Sequence, residues 1–366
     1  MSTSQVQHHP VDGFTIIPVL KAFLPRTLPL LRRAQFPHRS PSFYITATFS
    51  PGTAVESLPQ CFAVCILDRS RRPETEGWLF SSGEIEGRCP ELKNNTENSS
   101  GSGSTPQQCP DCTRAILSLA KHIPSLPLPD SVHGEDNITK LLTQSRSDQP
   151  SPGQTSAKQV STLDYSRHIT NPNVMVVGTI AQFPAEILNS QGLIRTDLPG
   201  MDIPYQKFIF RTSDLRHVDT TLPDGLRWGQ VRPQDFELVR SRTAIPRKDK
   251  TLALLPSVAI FREENSGGDS PVAWGFLGPD GSLASLHVEP NYRGRGLAKK
   301  VTTKILNEQL KVFDEEEGKS EQGWICNSDV ALDNLESTGV ARSLGGRPGW
   351  VVYWVRVNLE KAKALP

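Results

Sequence analysis

Hydrophobic residues recur at helical spacing between positions 297 and 313. Leu297, Val301 and Ile305 form a stripe joined by Ala298, Leu306, Leu310 and Phe313, while Lys299, Lys300, Lys304 and Lys311 fall on the polar side. This spacing predicts an amphipathic helix. Just upstream the period drops to two. Pro271–Leu277 and Ser282–Glu289 read as strands joined by Gly278-Pro279-Asp280-Gly281, a hairpin turn. Further back, Leu226 begins a strand and Pro233 opens a helix that runs through Arg240. The alternating, β-rich stretch Trp350–Leu359 closes the set.

The first 212 residues are less regular. Strand signals fall at Ser42–Phe49, Cys61–Asp68, Trp78–Ser82, Val174–Ile180 and Gln206–Arg211, with a short helix near Ala185–Ser190. Between them, residues 92–160 are dominated by Ser, Asn, Gln, Pro, Thr and Gly, broken by apolar pieces such as Ala115–Ile123. Such a tract buries too little to offset its ordering entropy, so it reads as a low-complexity insertion carrying one or two helices and dispensable for the fold. The expected class is mixed α/β, or α+β. The expected division is an N-terminal α/β lobe at 1–212 and a second domain at 213–366.

Chemistry enters at the junction of strand and helix. After Pro290 breaks the strand, Gly294 and Gly296 lead into the helix, and their missing side chains let backbone N–H groups crowd around one anion. The positive end of the helix adds to the attraction. A dinucleotide-binding fingerprint is a poor rival, because it needs a βαβ unit and an acidic residue about 20 positions on.

The pattern Arg293-x-x-Gly296-x-Ala298 behind a strand resembles motif A of the GNAT superfamily of N-acetyltransferases. Val330-x-x-x-Asn334-x-x-Ser337 followed by Leu344-Gly345-Gly346 resembles motif B, and the tryptophan-rich last strand is most similar to the glycine N-acyltransferase branch. The resemblance covers about residues 215–360 and implies a GNAT fold there. It also makes the N-terminal lobe plausible as a degenerate copy of that fold. It implies acetyl-coenzyme A, or another acyl-coenzyme A, as co-substrate. Arg293, Gly294, Arg295, Gly296, Leu297 and Ala298 would hold the pyrophosphate. Leu286, His287 and Val288 would lie on a bulge whose backbone meets the thioester and pantetheine, and Asn334 would bind the coenzyme arm. Asn334 is also a natural helix cap, and both roles can hold together.

The catalytic groups are where the pattern breaks. The family's usual base positions, eleven and nine residues before the motif A arginine, are Ser282 and Ala284, and its usual tyrosine acid is Ala341. Neither Ser282 nor Ala284 accepts a proton usefully near neutral pH. Asp280, Glu289, Glu263 and Glu264 are the nearest titratable groups, His287 suits packing better than catalysis, and Tyr353 could serve as the acid or as a core aromatic. Catalysis then leans on positioning, with a water chain taking the proton. The candidate catalytic set is Ser282, His287, Glu289 and Tyr353.

The acceptor loop at 240–255 carries Arg240, Arg242, Arg247, Lys248 and Lys250 against Asp249. It suits a carboxylate-bearing amine, because arginine forks bind carboxylates bidentately; an exposed basic loop and a contact to the 3′-phosphate are the alternatives. The expected function is transfer of an acetyl or short acyl group from coenzyme A to a small-molecule primary amine. A protein lysine or N-terminal acetyltransferase is the alternative within enzymes, and a catalytically silent acyl-CoA-binding protein the alternative outside them.

Composition narrows the surroundings. The 366 residues carry 40 Lys and Arg against 39 Asp and Glu, a net charge of +1, which supplies no field for nucleic acid or anionic lipid. No apolar run is long enough to span a bilayer and no secretory leader pattern opens the chain, so a cytoplasmic protein is expected. Cys109-Pro-Asp-Cys112 could be half of a zinc site, with Cys89, His122 and His133 as nearest partners, but no second C-x-x-C pair exists. It reads as a turn before a helix. Cys61, Cys65 and Cys326 read as small apolar strand residues, and no metal is expected.

Overall fold

Four of the described strands are buried at every position, Ala63–Asp68, Gly77–Ser81, Val174–Ala181 and Pro271–Leu277, as strands covered on both faces must be. The computed structural model describes residues 5–89, 109–129, 168, 171–243, 245, 247–263 and 270–366. Among these the chain forms twelve strands. Six come first: β1 (Gln7–His9), β2 (Phe43–Ala47), β3 (Ala63–Asp68), β4 (Gly77–Ser81), β5 (Val174–Ala181) and β6 (Tyr205–Arg211). Six follow: β7 (Leu226–Gly229), β8 (Ser257–Arg262), β9 (Pro271–Leu277), β10 (Leu283–Val288), β11 (Ile325–Ala331) and β12 (Arg347–Asn358).

Their spatial order is β1-β2-β3-β4-β5-β12-β6-β11 in one sheet and β10-β9-β8-β7 in the other. A single parallel bridge between Ser282 and Asn327 ties the sheets together. Read outwards from the line between β12 and β6, the same succession appears twice. On one side β12 lies against β5 and β4 pairs with β5 in parallel at Gly77 and Val177; on the other, β6 lies against β11 and β10 meets β11 in parallel. The fold is therefore a duplicated α+β unit in which each copy's last strand crosses to the other copy. The second set of strands begins with β7.

The second unit's core is built on the predicted hairpin. β9 spans the residues its alternation predicts, and the helix Leu297–Glu308 buries Leu297, Val301, Ile305 and Leu306 in the core it shares with that strand. Gly275 makes that approach possible, since a Cβ there would sit 2.9 Å from Ile305 Cδ1.

Across the interface, Arg32 from the helix Leu28–Gln35 is fully buried and donates to Glu317 Oε2 at 2.7 Å and to the Ile325 carbonyl at 3.2 Å. Breaking such a buried pair by removing one partner typically costs about 3–5 kcal/mol.

Two expectations need correction. Most of the low-complexity tract lies outside the described residues, but Pro110–His122 within it forms a helix that buries Cys112, Ala115, Ile116, Leu119 and Ala120. That helix shares a core with Ala63, Cys65 and Leu67 of β3, so the tract as a whole is not dispensable. Cys61 is also no inert strand residue: it precedes β3, and its sulfur lies 3.7 Å from that of Cys89 and 3.6 Å from that of Cys109. No helix of the described residues is long and apolar enough to cross a membrane.

Candidate active site

The site begins with an irregularity in β10. Ala284 pairs with Phe276 and His287 with Trp274, so Ser285 and Leu286 together oppose the single residue Gly275. This is a β-bulge, and Ser285 takes φ 51° to make it, a left-handed conformation that a non-glycine residue adopts only under constraint. Beyond the strand, Pro290–Tyr292 forms one 3₁₀ turn, and Gly294 and Gly296 follow with φ of 75° and 73°. Gly296 is the N-cap of the helix Leu297–Glu308. The backbone N–H groups of Gly294 to Lys299 donate to no acceptor among the described residues. A Cβ built on either glycine meets nothing within 4 Å. Free N–H groups with open space above them are the form a pyrophosphate requires.

The bulged segment also borders a cleft of about 210 Å³ between the two units. Ser282, Ala284 and Ser285 of the bulged segment line it together with Glu74, Tyr205, Arg247, Asp329, Trp354 and Arg356. Three of these are held firmly. Asp329, 4% exposed, accepts from Lys207 Nζ at 2.7 Å and from the Thr179 hydroxyl at 2.9 Å. Burial pushes its pKa up, while Lys207 pulls it back. Glu74 is buried, ion-paired with Arg71 at 3.3 Å, and accepts from the Lys248 N–H at 2.9 Å. Trp354 donates to the Thr75 hydroxyl at 3.0 Å and meets Tyr205 edge-on at 4.8 Å. Burial raises the Tyr205 phenol as well.

The structure separates the catalytic candidates. Ser282 reaches the cleft, but its hydroxyl donates to Asp280 at 2.6 Å, leaving it as a positioning group. His287 points elsewhere, stacked on Trp274 with ring centroids 4.7 Å apart. Burial pushes its pKa down to about 4 despite Glu289 nearby, so at neutral pH it is an uncharged packing residue. Glu289 is ion-paired with Arg242 at 2.9 Å. Tyr353 packs in the first unit's core with Ile180, Ala185 and Leu188, while its neighbours Trp354 and Arg356 line the cleft. His287 Nε2 lies 3.7 Å from Glu289, but neither side chain lines the cleft that Ser282 reaches, and Tyr353 lies apart from all three.

The coenzyme candidates fare differently. Leu286, His287 and Val288 lie on or just after the bulge, and Arg293 to Ala298 form the glycine turn. Arg293 donates to the Val288 carbonyl at 3.1 Å, and Arg295 lies over the Tyr292 ring. Asn334 caps the helix Leu335–Ser343, accepting from the Ser337 N–H at 2.9 Å. Of the basic acceptor loop, Arg247 alone among the candidates lines the cleft, 3.7 Å from Glu74; Arg240 pairs with Asp249, and Lys248 donates to the Ser70 carbonyl at 2.7 Å.

Comparison with known proteins places this geometry in a family. The description "acyl-CoA N-acyltransferase verG N-terminal domain" matches residues 3–208, more than half of the 366. No curated protein matches the chain. Among solved structures, a Drosophila protein is similar over 96% of this chain and 98% of its own, at 11% identity and a TM-score of 0.52, which shows the fold alone. A tandem GNAT protein from the clavulanic acid biosynthesis pathway covers 96% and 97% at 11% identity and a TM-score of 0.39. A GNAT-family acetyltransferase from Colwellia psychrerythraea covers 96% and 99% at 9% identity and a TM-score of 0.38. Likenesses at that level carry no further argument.

Proposed function

Because the chain belongs to the acyl-CoA N-acyltransferase family marked by the verG N-terminal domain, we propose that it moves an acetyl or other short acyl group from coenzyme A to the primary amine of a small zwitterionic molecule. The observation that carries this reading is the β10 bulge, whose strand leads into the glycine turn and whose residues line the cleft between the units.

Acyl-coenzyme A, when bound, supplies an activated acyl carbonyl and a thiolate leaving group. The free N–H groups of Gly294 to Lys299 hold its pyrophosphate, and Asn334 borders the arm. Backbone N–H groups at Ser285 and Leu286 are placed to polarise the carbonyl, the role preorganised donors play in acyl transfer. The incoming ammonium must lose one proton before it attacks. Asp329 is the cleft carboxylate we assign to take it, because its raised pKa makes it a better base than an ordinary aspartate.

The lining of the cleft supports a zwitterion. Arg71, Arg247 and Arg356 stand among Glu74, Asp280 and Asp329, so one small space offers cations for a carboxylate and carboxylates for an ammonium. Its volume lies below the usual range for drug-sized ligands, about 300–1,000 Å³, which favours a small acceptor over a peptide. The glycine N-acyltransferase branch is the relative this acceptor class suggests.

Release of free thiol from acetyl-coenzyme A, measured across free amino acids, plain alkylamines and lysine peptides, tests the reading. Amino acids or similar zwitterions should turn over fastest. Turnover confined to lysine peptides would replace this reading with a protein acetyltransferase, and saturable coenzyme binding without thiol release on any amine would replace it with a silent binding protein.

A further inference from the structure

We propose that Cys61, Cys89, Cys109 and Cys112 bind one zinc ion as a closed, tetrahedral thiolate site that holds the first unit together. The four sulfurs all lie within 4.8 Å of one another. Cys61 is 3.7 Å from Cys89 and 3.6 Å from Cys109, and Cys89 is 3.6 Å from Cys112. Zinc–sulfur bonds of about 2.3 Å at tetrahedral angles require sulfurs about 3.8 Å apart, which is this spacing.

The rival occupants fit less well. A disulfide needs sulfurs about 2.05 Å apart, and here Cys61 and Cys89 each have two sulfur neighbours at nearly equal distance, so no pair is selected. An iron–sulfur cluster spreads its thiolates over several irons and needs them farther apart. A mononuclear site of four closed thiolates holds Zn²⁺ more tightly than Fe²⁺ on the usual affinity order.

The surroundings are those of a structural site. Cys89, Cys109 and Cys112 are 3% exposed or less. Cys109 caps the thirteen-residue helix Pro110–His122 and Cys112 sits in its first turn, the short C-x-x-C spacing that lets two ligands share one ion. The Ser82 hydroxyl is 3.9 Å from Cys112. Arg88 donates to the carbonyls of Pro59 and Gln60 at 3.1 Å, pinning the segment before Cys61 to the one before Cys89. A Cβ on Gly83 would come 2.3 Å from the Phe183 ring and 3.1 Å from the Cys112 sulfur, so the chain passes close beside the site there.

Zn²⁺ replaces the four thiol protons, which pass to solvent, and leaves a site of net charge −2 that the helix N-terminus and Arg88 partly offset.

The duplication says what the site replaces. The helix Leu297–Glu308 follows β10 through the glycine turn, and among the described residues Pro110–His122 is the next α-helix after β4 in the first unit. Where the second unit offers a pyrophosphate cradle, the first offers four sulfurs and an acidic residue, Asp111, in the opening turn. The first unit is thereby a metal-stapled scaffold. This inference stands apart from the acyl-transfer reading and survives its failure.

The test uses the full chain purified without added metal. Elemental analysis and native mass spectrometry should find one zinc per chain, with the mass of the protein lowered by the protons the metal displaces. Cys89→Ser and Cys112→Ser should lose most of the metal, whereas Cys326→Ser, whose thiol lies on β11, should keep it. Where a variant fails to fold, cobalt exchanged into the intact wild type supplies the second reading, as the absorption of tetrahedral thiolate-bound cobalt. Protein that is metal-free and folded, that shows disulfide mass deficits, or that carries iron in place of zinc would overturn the proposal.

Discussion

The indole N–H of Trp78 in β4 donates to the Asp280 carboxylate at 3.0 Å, so a strand of the first unit grips the turn that aims the bulged strand of the second. The same carboxylate accepts from the Ser282 hydroxyl at 2.6 Å, and the Asp280 carbonyl accepts from the Asn327 side chain at 3.2 Å. Asp280 thus fixes where β10 leaves the turn and where it bridges β11. Trp78→Phe keeps an aromatic ring but deletes the donor and some buried volume. It should cost about 1–3 kcal/mol for the buried acceptor left short of a partner. Thermal unfolding will show that loss, together with a fall in kcat. Unchanged stability would mean the contact carries nothing.

Asp329→Asn should lower kcat by about a hundredfold or more with coenzyme affinity retained, as removal of a general base does. The change also leaves Lys207 buried without its anion, and the double variant with Lys207→Met separates the two effects. Stability should return in the double variant while activity stays low. Activity that returns with stability would reduce Asp329 to a structural partner.

Glu76 gives the fold an acid limb. It is fully buried, ion-paired with Arg69 at 2.7 Å and hydrogen-bonded to His168 at 3.1 Å. Although burial alone would raise its pKa, Arg69, His168 and Arg72 together hold it down at about 2. A depressed carboxylate stabilises above its unfolded pKa of about 4.5 and loses that contribution as pH falls towards 2. The shift corresponds to about 3 kcal/mol, an order-of-magnitude figure. Glu76→Gln should be less stable at pH 7 and show a flatter decline between pH 4.5 and 2 in urea unfolding. An unchanged slope would assign acid sensitivity to other carboxylates.

The parts of the fold legible in the sequence are those set locally. The turn Gly278–Gly281 fixes the β9–β10 hairpin, two positive-φ glycines and a helical stripe fix the loop and helix, and each leaves its mark within some twelve residues. The cleft is legible only after strands have been exchanged. Tyr205, Asp329 and Trp354 arrive on β6, β11 and β12, which pair across large sequence distances. Tyr353 shows the cost of a one-residue step: β12 carries a register shift between Tyr353 and Val355, and the residue facing the cleft is its neighbour Trp354. Cys61 escaped because its partners are 28 and 48 positions away, with nothing local to pair them.

The claim at the centre of this account is that the turn from Arg293 to Ala298 holds the pyrophosphate of an acyl-coenzyme A. Calorimetric titration of acetyl-coenzyme A into the wild type and Gly296→Glu tests it most directly. Gly296 has φ 73°, which a side chain adopts only with strain, and a glutamate would put negative charge beside the phosphates. The wild type should bind saturably and gain thermal stability with ligand concentration, and the variant should show neither effect while staying folded. Equal affinity in the two proteins would contradict the assignment of this loop.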